Sequence, residues 1–558
     1  MRIGGIASGM DTEQMVNDLM RAERMRMDRF FQQEQTVKWR QEAYNDVNKT
    51  MANFILDTRK AFGLNTTSNT GSIQNHSAKS FDWVKQATGT NENIVKSTAT
   101  ANAMSGSHKV EVQQLAEVAS VSTVDLKEAA VVDDSGKFIQ GGEITVTAKD
   151  GSKTIEITTS MTMSDLVREI NNATADAGDS EGKSLGLRAA YDSSLGQMMI
   201  TTRESGEEQT IKVTYDEDGL SSKMFKVKTD DADMPIPGTN PFEDISGTNA
   251  KILFNGDKVD KATNNFSIYG INLQLQSVSD IEVTINVDTD VDGIFNQISD
   301  FVNSYNELLD TMNGATGEKH YRDFPPLTKE QKEGMTEKDI EAWEEKSKSG
   351  LLKNDEVLTR TSQSMRSSLY QDVNSGIDED GNQIKLSGYS HITQVGITTG
   401  NYQSGGKLEI NEEKLRAAIN ENPEGVMDLF FKSPSPLPKD ATAEQKKQHK
   451  SETGLVQRIY DDMTAGMKEV IRHSGPGEDS SLYRNVQSNM LIDFVTEHSS
   501  ISRLDKELTT VNQRIAREEQ ILARREERYW QQFTAMEKAM SQMNQQSDWL
   551  MAQMYGGQ

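Results

Sequence analysis

No cysteine occurs among the 558 residues, which excludes disulfides, thiolate-held metals and cysteine nucleophiles. No run of 18 apolar residues exists, so no segment reads as a membrane-spanning helix. The first ten residues, MRIGGIASGM, lack the apolar stretch of a secretory signal peptide. Positive charge is in short supply, with 60 Lys and Arg against 86 Asp and Glu and a net charge of −26. That balance argues against nucleic acid as a partner. Residues 1–63 are nonetheless near neutral, with 10 basic and 9 acidic side chains, and residues 501–558 carry 8 of each. The acidity therefore lies in the middle of the chain, and near-neutral ends suit packing against protein.

Glycine and proline are missing from two long stretches, Met10 to Phe62 and Glu478 to Tyr555, so nothing breaks a helix in either. Taking every seventh residue from Ile501 gives Ile501, Leu508, Ile515, Leu522, Tyr529, Met536, Met543 and Leu550, an apolar stripe over eight heptads. At 35% apolar composition such a run in a fixed phase has a chance probability of roughly 2 in 10,000. A second seam, Leu504, Val511, Glu518, Arg525 and Gln532, begins apolar and turns polar, after which Phe533, Met540 and Met554 take over. A helix that changes partners along its length accounts for such a shift. The N-terminal stretch shows the same pattern in Phe30, Val37, Tyr44 and Met51, with Val47, Phe54 and Ala61 as second seam. Asp11 and Gln14 are spaced as N-cap and N3. Both ends are striped helices, and the economical arrangement pairs them, with the middle inserted between.

Residues 64–80 read as a polar linker. The period then changes to two. His108 to Val112 alternates, Ile144 and Val146 face Ile155 and Ile157 across an Asp150-Gly151 hairpin, and Asn255-Gly256 marks a second hairpin. Further strands are expected at 187–191, 198–202, 211–215, 251–254 and 281–287, with one short helix from Ser164 to Ala173 capped by Ser164. Prolines 235, 237 and 241 divide two β-rich units. Helix returns at Val291, where Ile294, Ile298, Phe301, Val302, Tyr305 and Leu308 share a face. Residues 314–350 read as a charged, exposed elaboration, helix resumes over 351–370, a strand at 408–410 precedes helix 412–420, residues 432–452 read as a loop, and helix follows to the end. The predicted fold is a multidomain α+β chain with a coiled-coil or helical-bundle stalk of terminal heptad helices and two inserted β-rich domains. Its expected domains are 1–45 with 510–558, 46–78 with 290–509, 79–118 with 246–289, and 119–245.

Chemistry has little to stand on. Asp288, Asp290, Asp292 and Gly293 imitate the start of a calcium-binding loop, but the twelfth position is Ser299 rather than Glu and strand precedes it. A strand-to-helix turn capped by Asp is the reading that fits. Seven histidines are scattered without ligand spacing, and neither a nucleophile elbow nor a phosphate loop is present. No catalytic residue, cofactor or metal is assigned. Methionines crowd both ends, at 10, 15, 20, 25 and 27 and at 536, 540, 543, 551 and 554. Thioethers repack cheaply, which suits either plain core filling or a surface that meets several non-identical neighbours.

The opening Arg2-Ile3-Gly4-Gly5-Ile6-Ala7-Ser8-Gly9-Met10-Asp11, with Leu19 to Arg24, resembles the N-terminus of flagellar filament cap proteins, also called hook-associated protein 2. Val110 to Ala116, Phe301 to Asn306, Gly406 to Ile410 with Lys414-Leu415, and Tyr529 to Phe533 followed by Met543-Asn544 are similar to the family's other markers, in the same order. Pro325 to Trp343 resembles an insertion in cap proteins of Gram-positive-type bacteria. The resemblance implies terminal helices as an innermost coiled coil, a helical domain around them and two β domains outside. It implies export through the flagellar type III channel to the extracellular tip, a ring of copies, often five, and flagellin, hook-filament junction proteins and an export chaperone as partners. The assembly residues it points to are Ile6, Met10, Phe30, Val37, Tyr44, Met51, Ile501, Leu508, Ile515, Leu522, Tyr529, Phe533, Met536, Met540, Met543 and Leu550. Another axial flagellar protein, such as a filament or junction subunit, and a surface adhesin are the competing readings.

Overall fold

The computed structural model describes residues 11–67, 73–176, 182–227, 239–380, 382–400, 404–438, 440–475 and 502–555. The chain divides into two compact units, residues 1–76 with 295–558 and residues 77–294.

The first unit is helical. Its longest elements are Thr12–Ala61 and Arg503–Tyr555, of 50 and 53 residues, each about 75–80 Å at the usual rise of an α-helix. Asp11 caps the first, accepting a 2.9 Å bond from the Gln14 N–H, as its spacing predicts. Arg59 and Lys60 lie in the last turn, where cations complement the helix dipole. Helices Val291–Gly317, Glu356–Leu369, Pro423–Phe431 and Leu455–Ser474 complete the framework. Their apolar faces meet in an aromatic cluster: Phe62 stands edge-on to Phe431 at 4.7 Å, Phe54 and Phe62 lie 5.7 and 5.6 Å from Phe301, and Tyr460 packs on Phe54 at 6.4 Å. The Tyr460 hydroxyl shares a 2.7 Å bond with Thr58 Oγ1, which satisfies both buried groups.

Arg458 is fully buried and is bound by backbone alone. Its Nε donates to the Thr453 carbonyl at 2.7 Å, Nη1 to Ser368 and Gln371 at 3.3 and 2.9 Å, and Nη2 to Asp372 and Ser451 at 3.0 and 2.7 Å. These carbonyls end helices Glu356–Leu369 and Ala443–Glu452, so one guanidinium satisfies two helix C-termini that would otherwise be buried with open acceptors.

The second unit is β-rich and holds two separate cores. One lies between a five-stranded sheet, in the order Asp257–Lys261, Ala250–Phe254, Gly106–Gln114, Ser279–Thr289 and Lys85–Gly89, and a three-stranded sheet of Asn265–Ile268, Ile271–Leu275 and Val95–Ala99. Val110, Val112, Ile252, Ile271, Val283 and Ile285 fill it, alternating with outward polar residues as the two-residue period requires. The other core belongs to residues 119–245 and joins a three-stranded sheet, a four-stranded sheet and helix Met163–Asn171 around Leu126, Ile144, Leu166, Ile200 and Phe225. In the first hairpin Ile144 pairs with Ile155 and Ala148 with Gly151. In the second, Phe254 pairs with Asp257 across Asn255 and Gly256, at φ 51° and 90°, the left-handed pair that a tight hairpin turn needs.

Four local readings need correction. The short helix starts at Met163 and is capped by Thr162, which exchanges bonds with Asp165 in a capping box. Ser164 is one residue inside it. Residues 65–67 and 73–75 form a small hairpin rather than a bare linker. Residues 443–452 are helical: Thr442 and Gln445 form a capping box, and helix-forming residues continue it without any apolar stripe to betray it. Residues 318–350 fold as two capped helices, Lys329–Glu333 and Glu337–Lys348, held by Trp343 Nε1 donating to the Pro325 carbonyl at 2.8 Å and by Phe324 packed 4.7 Å from Trp343.

Candidate assembly interface

The two terminal helices lie antiparallel. Gln41 Nε2 donates to Asp505 Oδ1 at 2.8 Å and to the Ser474 carbonyl at 2.7 Å, and Arg525 pairs with Glu23 farther along. The last contact joins residues 502 apart in sequence. Heptad stripes on both helices supply the packing between these polar ties. Val37, Tyr44 and Met51 are buried and Phe30 is half-buried; opposite them Leu504, Val511 and Ile515 are buried and Leu508 half-buried. Of the N-terminal second seam, Val47 and Phe54 are buried, but Ala61, in the last residue of the helix, is exposed. The polar turn of the C-terminal seam has its partner: Arg525, at the first basic seam position, meets Glu23.

Coverage falls along the C-terminal helix. Leu522, Tyr529, Phe533, Met536 and Met540 are half-buried. Met543, Trp549, Leu550 and Met551 are exposed to 65%, 63%, 53% and 59%. The apolar stripe thus continues past the residues that cover it. Ile6, Met10 and Ile501 lie outside the described residues, and so does the side chain of Met554.

Where the hairpin joins the helical body, polar groups converge. Tyr44 donates to Asp355, which also caps helix Glu356–Leu369. Burial, then this carboxylate, raises the Tyr44 phenol well above its ordinary value. The His473 ring sits 5.3 Å from Tyr44, and burial pulls its pKa down; Asp355 opposes that effect, while Arg503 and Arg40 add to it. Gly475 follows at φ 70°, where a Cβ would come within 2.5 Å of Asp505 Oδ2 and 2.8 Å of Ser502 Oγ. Gly475 thus holds a backbone conformation that glycine alone adopts cheaply.

The folded insertion packs against the N-terminal helix. Lys348 Nζ lies 5.2 Å over the Trp39 ring, and Arg21 reaches Glu330 at 4.0 Å. Between them is a cavity of about 520 Å³ with Met27, Phe31, Leu327 and Leu522 among its lining. Sequence reading missed this site because its wall is a charged segment with no periodic apolar signal. The calcium-like run behaves as a turn: Asp290 Oδ1 accepts from the Gly293 N–H at 2.7 Å at the start of helix Val291–Gly317. Among the described residues no cluster of three acidic or histidine side chains is placed to hold a metal, and no helix is long and apolar enough to cross a membrane.

A helical framework with its two chain ends paired, β-rich units inserted between them and an apolar edge left open defines a structural protein built for assembly. The chain belongs to the flagellar hook-associated protein 2 family. The family's C-terminal model matches residues 247–545 and its N-terminal model residues 8–119, while a flagellin hook IN motif matches residues 143–204. It is 30% identical to the flagellar hook-associated protein 2 of Halalkalibacterium halodurans over 98% of both chains. Against that of Escherichia coli K12 it is 24% identical, covering 76% of this chain and 79% of the relative. A crystal structure of the flagellar cap protein D1-D2-D3 domains from Escherichia coli aligns with 76% of this chain at 21% identity and a TM-score of 0.47.

Proposed function

We propose that this chain is a non-enzymatic assembly cap at the distal tip of the bacterial flagellar filament, outside the cell. Its copies join through the terminal helices into a ring, five being the expected number, and hold incoming flagellin while it inserts and folds. Family membership over nearly the whole chain, at 30% identity to a hook-associated protein 2, is the observation that carries this reading. The uncovered stripe of Met543, Trp549, Leu550 and Met551 supports a role for the C-terminal helix in meeting neighbours. Phe30, Val37, Tyr44 and Met51 are read as the residues that hold the hairpin in register for that role, together with the C-terminal stripe from Leu508 to Leu550. Export through the flagellar type III channel, with a chaperone beforehand and junction proteins at the filament base, completes the proposal. So does a four-part organisation in which 119–245 is the outer domain.

The test is complementation. Purified full-length chain added to cells that lack their own tip protein should restore filament growth, and the Leu550→Asp variant should not. Filaments that remain absent with the unaltered chain, or that grow equally with both, would overturn the reading.

A further inference from the structure

With no cysteine in the chain, the sulfur open to two-electron oxidation is that of methionine. Exposure divides these side chains sharply. Met20 and Met51 of the first helix are 2% and 0% exposed, whereas Met543 and Met551 of the last are 65% and 59% exposed. All four belong to the terminal helices, so one pair is shielded and the other meets any small oxidant in solution.

The seam on the last helix also changes chemistry along its length. Where the first helix covers it, the residues are aliphatic: Leu504, Val511 and Ile515 are buried and Leu508 is half-buried. Where coverage falls away, methionine takes over at 536, 540, 543 and 551. At 100° per residue these four and Leu550 lie within an arc of about 100°, the width of one apolar face. Met536 and Met540 are half-buried, so the exposed pair stands at the far end of a continuous stripe. Leucine supplies apolar surface there too, as position 550 shows. What methionine adds is a flexible stem and an oxidisable sulfur.

Oxidation changes the character of such a face. Hydrogen peroxide hands one oxygen to the thioether: the O–O bond breaks, an S–O bond forms, sulfur loses two electrons and the peroxide leaves as water. The sulfoxide is polar, and enclosing it in an apolar contact without a donor is unfavourable. Position 543 lies about two helical turns from Leu550, and position 551 is its direct neighbour.

We propose that Met543 and Met551 form an oxidation-sensitive site on the last helix, and that their conversion to sulfoxides by peroxide keeps a copy from joining others. This rests on the reading that copies associate through the terminal helices, and adds a chemical condition to it. A neighbour lying over the stripe shields both sulfurs, so the free chain is the susceptible form. Reductases specific for each sulfoxide epimer restore the thioether, which makes the block reversible.

Peroxide treatment of the full-length chain, followed by peptide mass mapping and sedimentation velocity, tests it. Met543 and Met551 should convert well before Met20 and Met51, and association should weaken about tenfold or more. Treatment with both sulfoxide reductases should bring it back. Each variant is compared with itself before and after peroxide, so a changed starting affinity does not enter. Met543→Leu with Met551→Leu should keep its own association through the treatment. Met104→Leu with Met199→Leu, which removes two methionines of the β-rich unit that are 56% and 51% exposed, should lose association as the unaltered chain does. Circular dichroism matching the untreated chain excludes unfolding as the cause. Undiminished association after both sulfurs are oxidised, or an equal loss in the Met543→Leu, Met551→Leu variant, would overturn the proposal. If that happens while Leu550→Asp abolishes association, the terminal-helix reading stands and the oxidation site is wrong. An untreated, unaltered chain that stays monomeric at every concentration overturns both.

Discussion

His473 sets a pH dependence at the foot of the terminal hairpin. Its pKa in the folded chain is below the ordinary histidine value, because burial disfavours the cation and Arg503 and Arg40 repel it. The unfolded chain therefore binds a proton that the folded chain refuses. Stability is full above about pH 6.5 and is lost as pH falls below it. His473→Gln should flatten the melting temperature between pH 7 and 5.5; an unchanged slope would assign that dependence to other groups. Arg458 offers a second single-residue test. Arg458→Leu preserves bulk but strands five carbonyls, and a loss of about 3–5 kcal/mol in denaturant unfolding of the helical unit is expected. Neither residue was singled out beforehand. A histidine's neighbours and an arginine's five acceptors come from segments far apart in sequence, and no local pattern encodes them.

At the scale of elements, legibility followed periodicity. The terminal helices were readable because seven-residue stripes and missing glycines speak over long windows, and the hairpins because Asp-Gly and Asn-Gly demand particular backbone angles. Helix Ala443–Glu452 was hidden, since it is polar all round and its evidence lies in Thr442 and Gln445 alone. Thr442→Ala should cost about 1 kcal/mol, measured as increased amide exchange in residues 443–452; unchanged exchange would show that tertiary contacts carry the helix instead. The stripes placed Val37, Tyr44, Met51 and Ile515 in packed seams. They could not show where coverage stops, because an apolar residue at Met543 reads the same whether a partner lies over it or not. The groove was illegible for a different reason: its lining comes from the N-terminal helix, an insertion some 300 residues later and Leu522 of the last helix.

For the whole molecule, two units with separate cores should unfold separately. Ile515→Asp buries a charge in the helical seam and should lower one calorimetric transition by about 3 kcal/mol or more. The transition of residues 77–294 should not move. A single transition that shifts as a whole would show the two units to be energetically one.

The antiparallel lie of the first and last helices also has a consequence in time. Glu23 emerges from the ribosome hundreds of residues before Arg525, so the part of the first helix around Glu23 waits for the last helix, whereas Phe54 finds Phe301 and Tyr460 earlier. A product stalled before residue 503 never acquires the opposing helix of the hairpin. On the proposed association through the terminal helices, products that lack residues 503–555 have no completed hairpin to offer a neighbour.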